Sequence, residues 1–140
     1  MFLTVLTYVV IGLLAALAIF YLKNGADKTF VQEKILDAYY PEWSGRTYWD
    51  IHDAYTFNST CPGTIGPAII SFLESKDYVD CIRLAIFLGG DADTIGAVYG
   101  QIAGAFYGFD AIPERWLRAI KDREKIDALI ERFLSVCVKN

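Results

Sequence analysis

The sequence predicts an all-α protein, and three observations carry that reading. No segment alternates apolar and polar residues at period two over a strand's length. The β-branched and aromatic residues are not gathered between tight hairpin turns. Apolar residues instead recur at helical spacing, separated by short stretches rich in Gly, Pro, Asn and Asp. At 140 residues, 54% of them hydrophobic, the chain is one domain or part of one and can bury a real core.

The elements follow in order. Residues 1–22 carry no charge and form a first apolar helix, ending at Lys23-Asn24-Gly25. Two readings of this leader stand: a buried helix, suited by Gly12, Ala15, Ala16 and Ala18, or a membrane anchor, since its length suffices to span a bilayer. Asp27 opens a second helix with Phe30, Ile35, Leu36 and Tyr39 as apolar positions. Residues 41–45 form a loop, 48–54 a short helix or turn, and 58–63 a second loop. Residues 68–74 read as a helix. Asp77 caps the next one, Asp93 caps a glycine-rich one, Pro113-Glu114 opens another, and Asp122 starts the last. In that last helix Ile126, Leu129, Ile130, Phe133 and Leu134 recur at helical spacing.

Composition narrows the function. The net charge is −4, and no basic block or basic-aromatic stripe favours nucleic acid. Three cysteines (Cys61, Cys81, Cys137) without CxxC spacing fit free thiols in a reducing compartment. With His52 the one histidine, a metal here would be held by oxygen ligands and be a hard cation. His52 itself reads as a surface or hydrogen-bonded residue, and Trp43, Trp49 and Trp116 as packing residues.

The stretch richest in chemistry is 89–94, Gly-Gly-Asp-Ala-Asp-Thr. Asp91 and Asp93 lie two apart on a turn, Thr94 adds a neutral oxygen, and Gly89 and Gly90 let the backbone turn sharply. The plain alternative is a helix cap beside a solvated acid, favoured by the helix dipole. Gly96, Gly100, Gly104 and Gly108 then recur at steps of four, a costly pattern in a helix, which implies a close approach by another backbone or ligand. The same stripe matches small-xxx-small membrane pairs, but two aspartates and Gln101 make a poor spanning helix. The nucleophile loop of haloacid-dehalogenase-type phosphatases wants Thr or Val where this chain has Ile95, and it follows a strand.

These residues resemble the C-terminal signature of the ADP-ribosylglycohydrolases. The likeness is carried by 81–97 (CIRLAIFLGGDADTIGA), 102–108 (IAGAFYG) and 112–114 (IPE). Upstream, 55–65 (YTFNSTCPGTI), the helix 68–73 and Asp50-Ile51-His52 continue it, so that it runs over 12–140. Where the family tends to have Pro-Glu, this chain has Gly66-Pro67. The resemblance implies an orthogonal all-α bundle and inclines 1–22 toward a buried helix. It also implies a site with two Mg²⁺ or Mn²⁺ ions in the complete family fold.

Asp91, Asp93 and Thr94 match the metal ligands of the family's C-terminal half; Gly89, Gly90 and Thr64 match substrate-facing positions. The implied reaction is hydrolysis of the glycosidic bond between ADP-ribose and a modified protein residue or related acceptor. The family's other ligands, a Thr/Ser-Asp-Asp cluster, have no counterpart here, so the chain is expected to be a truncated, C-terminal version, completed by another chain or copy. No catalytic residue is assigned. ADP-ribose or an ADP-ribosylated protein is the expected partner, and the cytoplasm the expected location. Two other readings stay open: a non-catalytic remnant that binds metal or ADP-ribose, and a small single-pass membrane-anchored helical protein whose acids only cap helices.

Overall fold

The computed structural model describes residues 2–52 and 61–137, with side chains described for 13–52 and 65–136. Among the described residues there are helices and no strands, as the sequence predicts. In order, they are α1 (Phe2–Lys23), α2 (Lys28–Val31), a π-helical turn (Gln32–Leu36), α3 (Asp37–Tyr39), a 3-10 turn (Pro41–Trp43) and α4 (Tyr48–His52). There follow α5 (Cys61–Glu74), α6 (Tyr78–Phe87), α7 (Ala92–Tyr107), a 3-10 turn (Phe109–Ala111), α8 (Glu114–Ala119) and α9 (Arg123–Cys137).

Two of the helix starts follow directly from side-chain chemistry. The Asp27 carboxylate accepts from Phe30 N–H at 2.9 Å, and that of Asp77 from Asp80 N–H at 2.7 Å, each satisfying a donor the helix cannot. A third start is fixed by a reciprocal pair. Asp50 accepts from the amide and hydroxyl of Thr47 at 2.8 and 2.7 Å, and Glu74 accepts from Tyr48 N–H at 2.6 Å.

The core is built around α5 and α7. Every residue from Ile65 to Phe72 is buried, and α7 adds Ile95, Tyr99, Ile102 and Ala103. Leu14, Ala15, Ala18 and Leu22 of α1 and Val31, Ile35 and Leu36 close it from the other side. The small residues of α1 allow it to pack on α7 and α5, while Leu13 and Phe20 are exposed. Among the described residues no helix is long and apolar enough to cross a membrane.

One boundary differs clearly from the sequence expectation. α5 begins at Cys61, seven residues before Ala68, so Cys61-Pro62-Gly63 is helical; residues 53–60, which hold the rest of the expected loop, lie outside the described residues. Pro62 sits in the first turn, where a missing N–H costs nothing. Pro67 lies inside α5, and the buried Tyr99 hydroxyl donates to its carbonyl while standing 2.6 Å from the Ser71 hydroxyl. The change at Gly66 has a packing reason: a Cβ there would lie 2.8 Å from the indole of Trp43, which is buried.

One end of this core is stapled. The Lys28 ammonium donates to the carbonyls of Leu73 (3.3 Å) and Ser75 (2.5 Å) and to the Ser75 hydroxyl (3.2 Å). It also lies 5.0, 5.7 and 5.4 Å from the ring centres of Phe72, Phe106 and Tyr107. A cation thus satisfies the last carbonyls of α5, where the helix dipole is negative, under an aromatic cover. Tyr107 completes the closure, its hydroxyl donating to the Ser75 carbonyl at 3.0 Å.

Candidate functional site

α6 and α7 form a helical hairpin whose turn is the acidic segment. The last turn of α6 closes with Leu88 N–H on Leu84 C=O and Gly89 N–H on Ile86 C=O. Gly89 and Gly90 then adopt φ of +73° and +62°, a left-handed pair that ends α6 and that residues with a Cβ adopt only under strain. The expectation of a sharp glycine turn therefore holds, and both glycines are needed for it.

Helix α7 starts two residues earlier than an Asp93 cap implies. Asp91 holds the N-cap position and its carbonyl accepts from Ile95 N–H at 3.0 Å. Asp93 sits in the first helical turn, with a carboxylate oxygen 2.9 Å from Thr94 N–H. Asp91 is half-buried, whereas Asp93 and Thr94 are exposed. The turn thus sets Asp91, Asp93 and Thr94 in the chain at the positive end of one helix, with Asp93 and Thr94 exposed.

The donors fit a hard divalent cation in kind but are few for it. Mg²⁺ takes six oxygens in near-octahedral geometry, and Asp91, Asp93 and Thr94 offer three donor side chains. Among the described residues no group of three or more His, Cys, Asp or Glu side chains could hold a metal ion. Of the substrate-facing positions, Gly89 and Gly90 lie in the turn. Thr64 lies in α5, with its side chain outside those described.

The glycine stripe is only partly used. A Cβ at Gly100 would meet the Tyr78 hydroxyl at 3.6 Å and Ile82 at 3.9 Å, ordinary contact with α6. At Gly96 and Gly104 it would meet nothing within 4 Å. The close approach expected for the whole stripe is therefore realised within the described residues only at Gly100.

A feature the sequence reading missed lies along α4 and α6. Tyr48, Trp49, His52, Arg83, Leu84 and Phe87 line an open, mostly apolar groove of about 320 Å³. The Arg83 guanidinium lies 5.9 Å from the Phe87 ring centre. Trp49, expected as a packing residue, is 66% exposed here, and Trp43 is buried as expected. Trp116 is half-buried, its ring 6.2 Å from that of Tyr78. His52 is exposed at the end of α4 and packs against the rings of Tyr48 and Trp49. Cys81 is a free thiol in the core, and burial pushes it up to about 11, so it is no nucleophile.

Comparison with known proteins matches residues 7–140 to the ADP-ribosylglycohydrolase family. The chain is similar to the ADP-ribosylarginine hydrolase Tri1 of Serratia proteamaculans, 41% identical over 70 residues that make up 50% of this chain and 19% of that protein. It is also similar to the human ADP-ribosylhydrolase ARH3, 43% identical over 56 residues, 40% of this chain and 15% of that one. A solved structure described as an ADP-ribosylglycohydrolase-related protein complex superposes with a TM-score of 0.68 at 39% identity. That superposition covers 83% of this chain and 42% of the solved one, and the alignments to the two curated relatives span less than a fifth of their length.

Proposed function

The chain belongs to the ADP-ribosylglycohydrolase family, and from that premise we propose that it supplies one half of a metal-assisted site that hydrolyses ADP-ribose linkages. The substrate is ADP-ribose joined through its anomeric carbon to a protein side chain or related acceptor. The observation that carries the reading is the turn itself. Two left-handed glycines lead directly into the start of α7, where Asp91 is the N-cap and Asp93 and Thr94 lie in the first turn.

In this reading Asp91, Asp93 and Thr94 hold Mg²⁺ or Mn²⁺, with the other ligands coming from a completing chain or copy. A cation bound there would orient ribose hydroxyls and lower the pKa of a water. The chain's own residues do the rest. The backbone at Gly89 and Gly90, with no side chain in the way, lets substrate come close to the acids. The positive end of α7 favours the anionic groups that gather there. Carboxylates at the rim stabilise positive charge that develops on the ribose ring as the glycosidic bond breaks. The reading also places the protein in the cytoplasm, in keeping with the free thiol of Cys81.

The test is turnover of ADP-ribosylarginine and ADP-ribosylserine peptides with Mg²⁺. The chain is assayed alone and together with the N-terminal remainder of a family relative as a separate polypeptide. The expected result is turnover in the mixture that falls at least about a hundredfold in Asp91→Asn and Asp93→Asn. Equal turnover in these variants sinks the proposal. Metal or ADP-ribose binding without turnover selects a second reading, a non-catalytic binder, which the small number of donors on this chain favours.

A further inference from the structure

Tyr99 ties α7 to α5 by hydrogen bonds inside the core. Tyr99, Pro67 and Ser71 are all buried. The Tyr99 phenol has one proton to give, and the Pro67 carbonyl can only accept it. The Ser71 hydroxyl, 2.6 Å away, is left to donate to the phenol oxygen. Burial holds the phenol well above its usual range, so the link keeps its proton. Around it, Ile65, Ile69, Ile95 and Ile102 are buried and apolar, and apolar burial is non-directional. The hydroxyl contacts demand particular atoms at particular distances, so they set where the two helices stand along each other.

The same kind of contact gives the register. Tyr99 reaches the carbonyl of Pro67 and Tyr107 that of Ser75, each 32 residues earlier. The two helices, which pack together, therefore run parallel at a constant offset. Counted back at that offset, Asp93 and Thr94 stand level with Cys61 and Pro62, where α5 begins. The starts of α5 and α7 thus share one end of the bundle, and Thr64 lies in the first turn of α5. That turn is held to its own helix by one bond fewer, because Pro67 has no N–H to donate to the Gly63 carbonyl. We infer that Tyr99 is a positioning residue, whose bonds to Pro67 and Ser71 hold the first turn of α5 level with the acidic turn that opens α7. The substrate then meets Thr64 and the acids at a fixed spacing. This consequence rests on the proposed reaction; the geometry does not.

The test has a structural arm and a kinetic arm. Spin labels on Cys61 and on Ala92→Cys, in the full chain with Cys81→Ala and Cys137→Ser, report the distance between the two helix starts by dipolar electron paramagnetic resonance. Tyr99→Phe is expected to shift or widen that distance by about 1.5 Å, one residue's rise along a helix. Tyr107→Phe, at the far end, leaves it unchanged. In the two-polypeptide turnover assay, Tyr99→Phe raises KM about fivefold. It leaves Mn²⁺ affinity unchanged, since the acids sit on one helix. A hydroxyl that serves stability alone would lower the unfolding midpoint and leave both the label distance and KM where they are, and that result overturns the inference. Ser71→Ala carries the same expectation at smaller amplitude and decides the matter if Tyr99→Phe does not fold. The label distance needs neither metal nor substrate. A failed metal site therefore leaves the positioning role tested, and an unmoved distance overturns it alone.

Discussion

The two ends of α7 are made for different purposes. At its C-terminal end, Phe106 and Tyr107 roof the Lys28 ammonium, and the final carbonyls of α5 are satisfied by Lys28 and Tyr107. At its N-terminal end, Asp93 and Thr94 are exposed, and among the described residues nothing stands within 4 Å of a Cβ at Gly96. The first end is closed by groups whose burial would be costly if unpaired. The second concentrates negative charge and small residues at a surface, which adds little to stability and leaves room for a ligand. One helix thus carries both the anchor of the fold and the candidate site.

Substitutions at the closed end should be costly. Phe72→Ala removes the fully buried ring beneath Lys28 and is expected to cost about 3–5 kcal/mol in urea unfolding. Lys28→Ala leaves the Leu73 and Ser75 carbonyls short of a donor and is expected to cost about 2–3 kcal/mol.

The same end predicts an alkaline limit. Burial raises the Cys81 thiol from 9.0 to about 11, opposed by a hydrogen bond with Ser75 and the charge of Lys28 and helped by Asp80. Between those values the unfolded thiol has lost its proton and the folded one keeps it, so stability falls as pH rises. The expected loss is about 2 kcal/mol between pH 9 and 11. Cys81→Ala should flatten that part of the profile, and an unchanged slope would show that the thiol is not the cause.

The open end should answer in the opposite direction. Gly96→Ala at that end, and Gly104→Ala farther along the same helix, place a methyl where no atom of the described residues stands within 4 Å and remove a poor helix former. Each is expected to stabilise the isolated chain by about 0.5–1 kcal/mol. Destabilisation by either would mean that the face is covered in solution.

Much of the closed architecture was legible in the sequence because local rules decide it. Asp27 and Asp77 cap as their positions imply, and the apolar spacing of α7 marks Ile95, Tyr99 and Ile102 as buried; in α6 it fails at Phe87, which is exposed while Tyr78 and Cys81 are buried. The Gly-Gly-Asp-x-Asp-Thr turn was legible because left-handed backbone needs glycine and a helix start favours acids. What escaped was long-range. Nothing in the sequence says that Lys28 reaches carbonyls 45 and 47 residues away, or that Trp43 needs Gly66. The Thr47/Asp50 pair was readable, as Thr-x-x-Asp ahead of an apolar residue is a capping pattern. The α9 stripe, exposed at Leu129 and Phe133, showed the limit of periodicity, which identifies an apolar face but not what covers it.

The central claim is that the acidic turn is an inherited metal site. Its most direct test is Mn²⁺ binding to the full chain, followed by electron paramagnetic resonance, with Mg²⁺ as competitor. Three donor side chains of hard oxygen predict one site of about millimolar affinity, at least tenfold weaker in Asp91→Asn and in Asp93→Asn and unchanged in Gly104→Ala. Wild-type affinity in both aspartate variants would contradict the account and reduce Asp91 and Asp93 to residues of a helix start.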